Sequence, residues 1–300
     1  MPCYHPIDAW QCFNGDIVFV DNLRKNDIVR SLRLPCGRCV GCRLERSRQW
    51  AVRCMHEASL HDFNCFVTLT YDDDHLPEYN SLNYEHFQLF MKRLRKKFSP
   101  QTIRFYMCGE YGEDFSRPHY HACLFNCFFA DRKRISTSGS GSVLYRSDIL
   151  SSLWPYGFSS IGDVTFESAA YVARYVMKKV SGDAADVHYT TVDPITGEIS
   201  RRVPEFNRMS LKPGIGASWF EKYNTDVFPR DHVVVRGRES KPPRFYDKLL
   251  QRNFPDLVDD VKFSRYTRAM LRQDEESDER LAVREEVALA KLGMLPRNLS

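Results

Sequence analysis

Between residues 64 and 180 short apolar runs alternate with amphipathic ones, and this alternation restricts the fold more than any other feature of the chain. NCFVTLTY (64–71) alternates, is rich in aromatic and β-branched residues, and reads as a strand. NYEHFQLFMKRLRKKF (83–98) places Phe87, Phe90, Met91, Leu94 and Phe98 at helical spacing, with Asn83 as N-cap and Pro100 as stop. TIRFYMCGE (102–110) and HYHACLF (119–125) are strands joined by a short turn-rich link, which makes them antiparallel neighbours. RSDILSSLWPYG is a short helix closed by Pro155 and Gly157, FSSIGDV a fourth strand, and 166–180 a further helix. The order β-α-β-β-α-β-α predicts an α+β fold. Its antiparallel sheet is of the split βαβ type, ferredoxin-like or RRM-like, with helices mainly on one face and the other free to hold a site.

Around this core the texture changes. Residues 1–62 form a Cys-rich, basic N-terminal segment, 63–182 the central domain, and 183–300 a C-terminal extension. RKR and STSGSGS within 130–142 read as a flexible loop. DHVVVRGRES reads as a strand, and 257–292 as one or two highly charged helices.

Composition narrows the partner. The net charge is only +4, but nine Lys or Arg lie between Arg24 and Arg53 against Asp27 and Glu45, and KRLRKK (92–97) adds five more. Such clusters favour a polyanion, with nucleic acid the first candidate and a solvated face the plain alternative. No apolar stretch approaches the ~20 residues of a membrane span, so no membrane partner is expected. MPCYHPIDAW lacks the features of an export signal, which leads us to expect a cytoplasmic protein with ten cysteines held as thiols or metal ligands.

RPHYHACLF (117–125) carries the first chemical signal. In a strand His119 and His121 point the same way and Tyr120 the other, so two imidazoles can reach one ion. A third ligand should come from the neighbouring strand, where YMCGEYGED offers Glu110, with Glu113 in reserve. Two imidazoles and a carboxylate suit Mn²⁺ or Zn²⁺ by ligand softness, while phosphoryl chemistry would also accept Mg²⁺.

The second signal is FESAAYVARYVMKKV (166–180). Ala169, Val172, Ala173, Val176 and Val180 form its apolar stripe, whereas Tyr171, Tyr175 and Lys178 fall on the opposite side. Phenols placed there can stack on bases or act as nucleophiles. A phenol attacks poorly unless its electrophile is polarised, and a phosphodiester bound to a divalent metal supplies that polarisation.

The third is CGRCVGC, which places Cys36, Cys39 and Cys42 in a CxxCxxC run. This spacing is half of a structural zinc site, with Cys54, His56, Cys3, His5 and Cys12 as candidates to complete it; unliganded thiols are the alternative. Arg43, Arg46, Arg48 and Arg53 follow on a helix with Trp50 and are expected to contact DNA, or else to form a solvated face.

HYH on a strand, a carboxylate before it and YVARYVMKK on a later helix together resemble the HUH endonucleases that start rolling-circle replication. PCGRCVGCRLERSRQWAVRC, FVTLTYDDDHLP, CGEYG, LWPYGF and MSLKPGIGASW bring the chain closer to the replication initiators of microviruses, of the gokushovirus type. The resemblance spans residues 36 to 220 and implies His119, His121 and Glu110 as ligands of Mg²⁺ or Mn²⁺. It implies Tyr171 and Tyr175 as paired nucleophiles and Lys178 as a phosphate contact. The implied activity is origin-specific nicking and strand transfer, through a 5′-phosphotyrosine, with a 3′-hydroxyl freed as primer. The implied partners are single-stranded and supercoiled double-stranded viral DNA at the origin, with the host helicase and polymerase, in the cytoplasm of a bacterial host. Two other readings compete: a non-catalytic zinc-containing DNA-binding protein, and a metal phosphoesterase that uses water.

Overall fold

A computed structural model describes residues 3–19, 28–112, 116–137, 141–174, 180, 184–192, 196–271 and 277–294. The first elements are β1 (Ile7–Cys12), β2 (Ile17–Val18), β3 (Ile28–Leu34) and α1 (Val40–Ala58). Next come β4 (Asn64–Tyr71), α2 (Tyr84–Lys97), β5 (Arg104–Tyr111), β6 (Pro118–Phe125), β7 (Lys133–Thr137) and β8 (Val143–Arg146). They are followed by α3 (Asp148–Leu153), β9 (Gly157–Gly162), α4 (Phe166–Arg174), α5 (Ala184–Tyr189), β10 (Thr190–Val192), β11 (Ile199–Arg201) and β12 (Phe206–Met209). The last are α6 (Ala217–Val227), β13 (Val233–Val235), β14 (Arg238–Ser240), α7 (Arg244–Asn253), α8 (Val258–Met270) and α9 (Asp278–Gly293). Among the described residues no helix is long and apolar enough to cross a membrane.

The chain divides into two compact units, one drawn from Met1–Arg46 and Asp259–Pro296, the other from Ser47–Val258. In the first, β1 lies between β2 and β3 in an antiparallel sheet whose register runs from Ile7↔Leu34 to Cys12↔Ile28. In the same unit α9 is capped by Ser277, whose side chain accepts from the Arg280 amide, and buries Leu281.

The second unit is built on a seven-stranded sheet in the order β12-β5-β6-β4-β9-β8-β7. Its middle four, β5-β6-β4-β9, are antiparallel and follow the split βαβ order, so the α+β class expected from the sequence is the one observed. The alternation of NCFVTLTY sends Cys65, Val67, Leu69 and Tyr71 to one face, against Phe87, Phe90, Met91 and Leu94 of α2 and Leu150 and Leu153 of α3. Asn83 caps α2 as expected, its side chain accepting from the Glu85 amide at 3.0 Å.

The opposite face is less open than the sequence led us to expect. Ala51, Cys54 and Ala58 of α1 and Ala169, Ala170, Val172 and Ala173 of α4 pack on Tyr106, Cys108, Cys123 and Phe125. Residues this small let helices lie close on a sheet, and they give α1 an apolar stripe that its arginines mask in the sequence. The uncovered part of this face includes Phe158 on β9. Two local expectations also change. The segment 130–142, expected as a loop, carries β7, which pairs with β8 just beyond it, and residues beyond 200 supply β12, paired to β5. Gly157 opens β9 at φ +141°, where an added Cβ would lie 2.3 Å from the Asp72 amide nitrogen, so only glycine lets β9 meet β4 here.

One half-buried histidine in this unit makes stability depend on pH. His56 stacks on Trp219 at 3.5 Å between ring centroids, and its Nδ1 lies 2.8 Å from the Tyr246 hydroxyl. Burial pushes its pKa down to about 4 from 6.5. The unfolded chain takes up this proton below 6.5 and the folded chain only near 4, so stability is full above 6.5 and falls as pH drops through that window. We expect a loss of at most about 3 kcal/mol, read as a falling urea midpoint, and a flatter profile for His56→Gln.

Candidate active site

The β5–β6 hairpin supplies three of the expected ligands through its register. Glu110 pairs with His119 and Cys108 with His121, which puts the carboxylate and both imidazoles on one face of two adjacent strands. Glu110 Oε1 lies 2.6 Å from His119 Nε2 and 2.9 Å from His121 Nε2. One ligand atom from each residue lies within 4.8 Å of the other two.

The far sides of both rings are held. The Arg117 carbonyl accepts from His119 Nδ1 at 3.0 Å, and Thr68 Oγ1 pairs with His121 Nδ1 at 2.9 Å. Partners on Nδ1 fix the rings so that both Nε2 atoms face Glu110, the usual outer support of metal-binding histidines. Burial pushes the Glu110 carboxyl up, but hydrogen bonds and charge from His119 and His121 outweigh it and hold the pKa below the ordinary value.

Glu110 is 2% exposed, and its Oε2 is buried with no hydrogen-bond partner among the described residues. An unpaired buried carboxylate oxygen costs free energy, and a cation would satisfy it. Two imidazole nitrogens and a carboxylate therefore fit a divalent ion, with Mn²⁺ and Zn²⁺ favoured by donor type and Mg²⁺ admitted by phosphoryl chemistry.

Tyr171 reaches this centre from α4. Its ring stands edge-on to His121, with centroids 5.1 Å apart and planes at 87°. The helix is tied down on both sides of this residue: Ser47 Oγ donates to the Ala170 carbonyl and Asn207 Nδ2 to the Val172 carbonyl, each at 2.9 Å. Tyr175 and Lys178, and the reserve ligand Glu113, lie outside the described residues.

The four arginines of α1 have separate surroundings. Arg53 is sandwiched between Trp50 and Phe245, 3.9 Å from each centroid, and donates to the Ile215 carbonyl at 3.0 Å. These contacts make Arg53 part of the packing. Arg48 donates to Ser240 Oγ at 2.8 Å, Arg43 is half-buried and Arg46 is exposed. In the other unit the sulfurs of Cys36, Cys39 and Cys42 gather with that of Cys3 within 4.8 Å of one another.

Several residues that shape the site were not singled out by the sequence. Ser47, Thr68 and Asn207 act through tertiary contacts that have no local signature. Phe158 is also on the ligand face: Thr70 pairs with His119 on one side and with Phe158 on the other. Its ring is 69% exposed.

Comparison with known proteins places these residues within a matched region. The family model for replication-associated protein ORF2/G2P matches residues 64–180, which include every element of the site except Ser47 and Asn207. Replication-associated protein VP4 of Bdellovibrio phage phiMH2K is 34% identical over 265 residues, 85% of this chain and 79% of that protein. ORF2 of Spiroplasma virus 4, also named a replication-associated protein, is 36% identical over 256 residues, 81% of this chain and 75% of its own. ORF4 of Chlamydia phage 1, of the same description, is 32% identical over 74% of this chain and 54% of its own. No solved structure matches.

Proposed function

Since the chain belongs to the family of phage replication-associated proteins, and so has its role in phage replication, we propose that it is the nickase and strand transferase that starts rolling-circle synthesis. The observation that carries this reading is the Tyr171 ring set edge-on to His121, beside a carboxylate and two imidazoles that fit a divalent ion.

Glu110, His119 and His121 would hold a divalent ion. When bound, it supplies Lewis-acid polarisation of the scissile phosphate and orients the bond to be broken. A single strand at the origin lies across the uncovered part of the ligand face. The Tyr171 or Tyr175 oxygen attacks phosphorus as its proton leaves. The P–O3′ bond breaks, giving a 5′-phosphotyrosine and a free 3′-hydroxyl, which takes up a proton and primes the host polymerase. The phosphotyrosine conserves the phosphodiester energy, so rejoining needs no nucleoside triphosphate. After one circuit the second tyrosine cleaves the regenerated origin, and the new 3′-hydroxyl displaces the first tyrosine to close a circle. Lys178 is the proposed phosphate contact, and Arg46 a contact with the DNA backbone. The substrate is viral DNA at the origin, single-stranded or opened from the supercoiled duplex with the host helicase, in the host cytoplasm.

The test is a denaturation-resistant adduct. Full-length protein with Mn²⁺ or Mg²⁺ and single-stranded oligonucleotides should give one, with a phosphonucleotide mapped to the peptide carrying Tyr171 or Tyr175. Binding without adduct across metals and substrates would overturn the reading in favour of a DNA-binding module.

The exposed ring of Phe158 adds an expectation about the strand's path. A base stacked on an aromatic ring contributes about 1–3 kcal/mol, so Phe158→Ala should raise the Kd for single-stranded oligonucleotides by about 5- to 150-fold. The rate at saturation should stay within about threefold, and Phe158→Trp should restore affinity. Unchanged affinity would place the strand elsewhere.

A further inference from the structure

Residues 3–19 and 28–39 form a small sheet with almost no interior of its own. Only Cys3, Ala9 and Cys12 are buried among them, while Phe13, Ile17, Phe19 and Val29 are exposed. A sheet with so little buried apolar surface needs another source of stability, such as a bound metal.

The open end of the β1–β3 pair is where that source can sit. The register begins at Ile7↔Leu34, and just beyond it Cys3 and Cys36 come together with Cys39 and Cys42. The Cys3–Cys39 and Cys36–Cys42 sulfurs are 3.9 and 4.0 Å apart. A tetrahedral zinc with Zn–S bonds of about 2.3 Å holds its sulfurs about 3.8 Å apart, whereas a disulfide would bring two of them to about 2.05 Å.

The backbone around the sulfurs is arranged for thiolates. The amides of Arg38 and Cys39 both point at Cys36 Sγ, at 3.4 and 3.3 Å. The Cys36 amide points at Cys3 Sγ at 3.3 Å and the Tyr4 amide at Cys39 Sγ at 3.4 Å. Gly37, at φ +75°, makes the tight turn between the first two cysteines of CGRC. Amide donors directed at sulfur favour the anion, which is the form that ligates metal.

We propose that Cys3, Cys36, Cys39 and Cys42 bind one zinc ion in a closed, structural site, and that this zinc folds the β1–β3 sheet by clipping its open end. It is independent of the divalent ion at Glu110, His119 and His121. Binding exchanges thiol protons for metal: four cysteines release their protons to solvent as four Zn–S bonds form.

Full-length protein, purified without chelator, should carry about one zinc per chain by elemental analysis. Cys3→Ser should lose it, and the double variant His119→Ala, His121→Ala should keep it. Cobalt in place of zinc should give a thiolate-to-metal charge-transfer band that weakens in Cys3→Ser. Hydrogen exchange after chelation should show protection falling by at least about tenfold in 7–12 and 28–34, with 64–71 and 118–125 unchanged. The proposal is overturned if reconstituted wild-type protein holds no zinc, if Cys3→Ser holds as much, if zinc is lost only with the histidines, or if chelation leaves 7–12 and 28–34 protected. A loss of adduct formation with zinc retained would count against the nickase reading and leave this site standing.

Discussion

Tyr171→Phe combined with Tyr175→Phe should abolish the covalent adduct and lower cleavage of a single-stranded origin by at least about a thousandfold, since removing a nucleophile leaves no covalent route. The change deletes two oxygens and keeps both rings, so the packing of Tyr171 against His121 is preserved. Oligonucleotide binding should therefore stay within about threefold of wild type. Each single variant should retain adduct on the remaining tyrosine with a short linear substrate, while failing to complete a full replication round. Gel analysis of a labelled oligonucleotide checks all three. If the double variant still cleaves at a normal rate, water is the nucleophile and the protein is a metal phosphoesterase.

Loss of the metal centre should be nearly as severe. Glu110→Gln keeps the shape of the side chain but removes the anion, and it puts an amide where Oε2 is buried and unpaired. Divalent-ion affinity should fall by at least about 100-fold, and cleavage at low Mn²⁺ should fall with it. Thr68→Val is the graded companion. It leaves every ligand in place and removes only the partner of His121 Nδ1, so the expected loss is about 10- to 100-fold and is recovered by raising the metal concentration. Calorimetric titration with Mn²⁺ and cleavage against Mn²⁺ concentration separate the two variants. Wild-type affinity in Glu110→Gln would remove the carboxylate from the site.

The elements that could be read from the sequence are those whose cause is local. NCFVTLTY shows its period of two, Asn83 its cap, and HYH its shared face, because each depends on neighbours a few residues away. Glu110 was legible for the same reason, since a short link makes β5 and β6 neighbours. Cys3 was one of several candidates to complete the cysteine site, because it is separated from Cys36 by 33 positions and only the β1–β3 register brings it back. FNRM gives too few apolar residues to mark β12, so Asn207 went unnoticed. The packing of α1 on the sheet was obscured because Ala51, Cys54 and Ala58 are weakly hydrophobic beside Arg48 and Arg53. Nor does that pattern show that Trp50 and Phe245 enclose Arg53.

The three proposed metal ligands all come from two paired strands, β5 and β6, while Tyr171 arrives on a helix tied by Ser47 and Asn207. The two halves of the chemistry therefore differ in how they respond to damage. On the proposed mechanism, a lesion in α1 or β12 would tilt Tyr171 away from an intact β5–β6 pair, giving a protein expected to load metal and grip DNA yet fail to cut. Such a protein would occupy the origin without starting synthesis and act as a dominant inhibitor in a cell that also makes the intact protein.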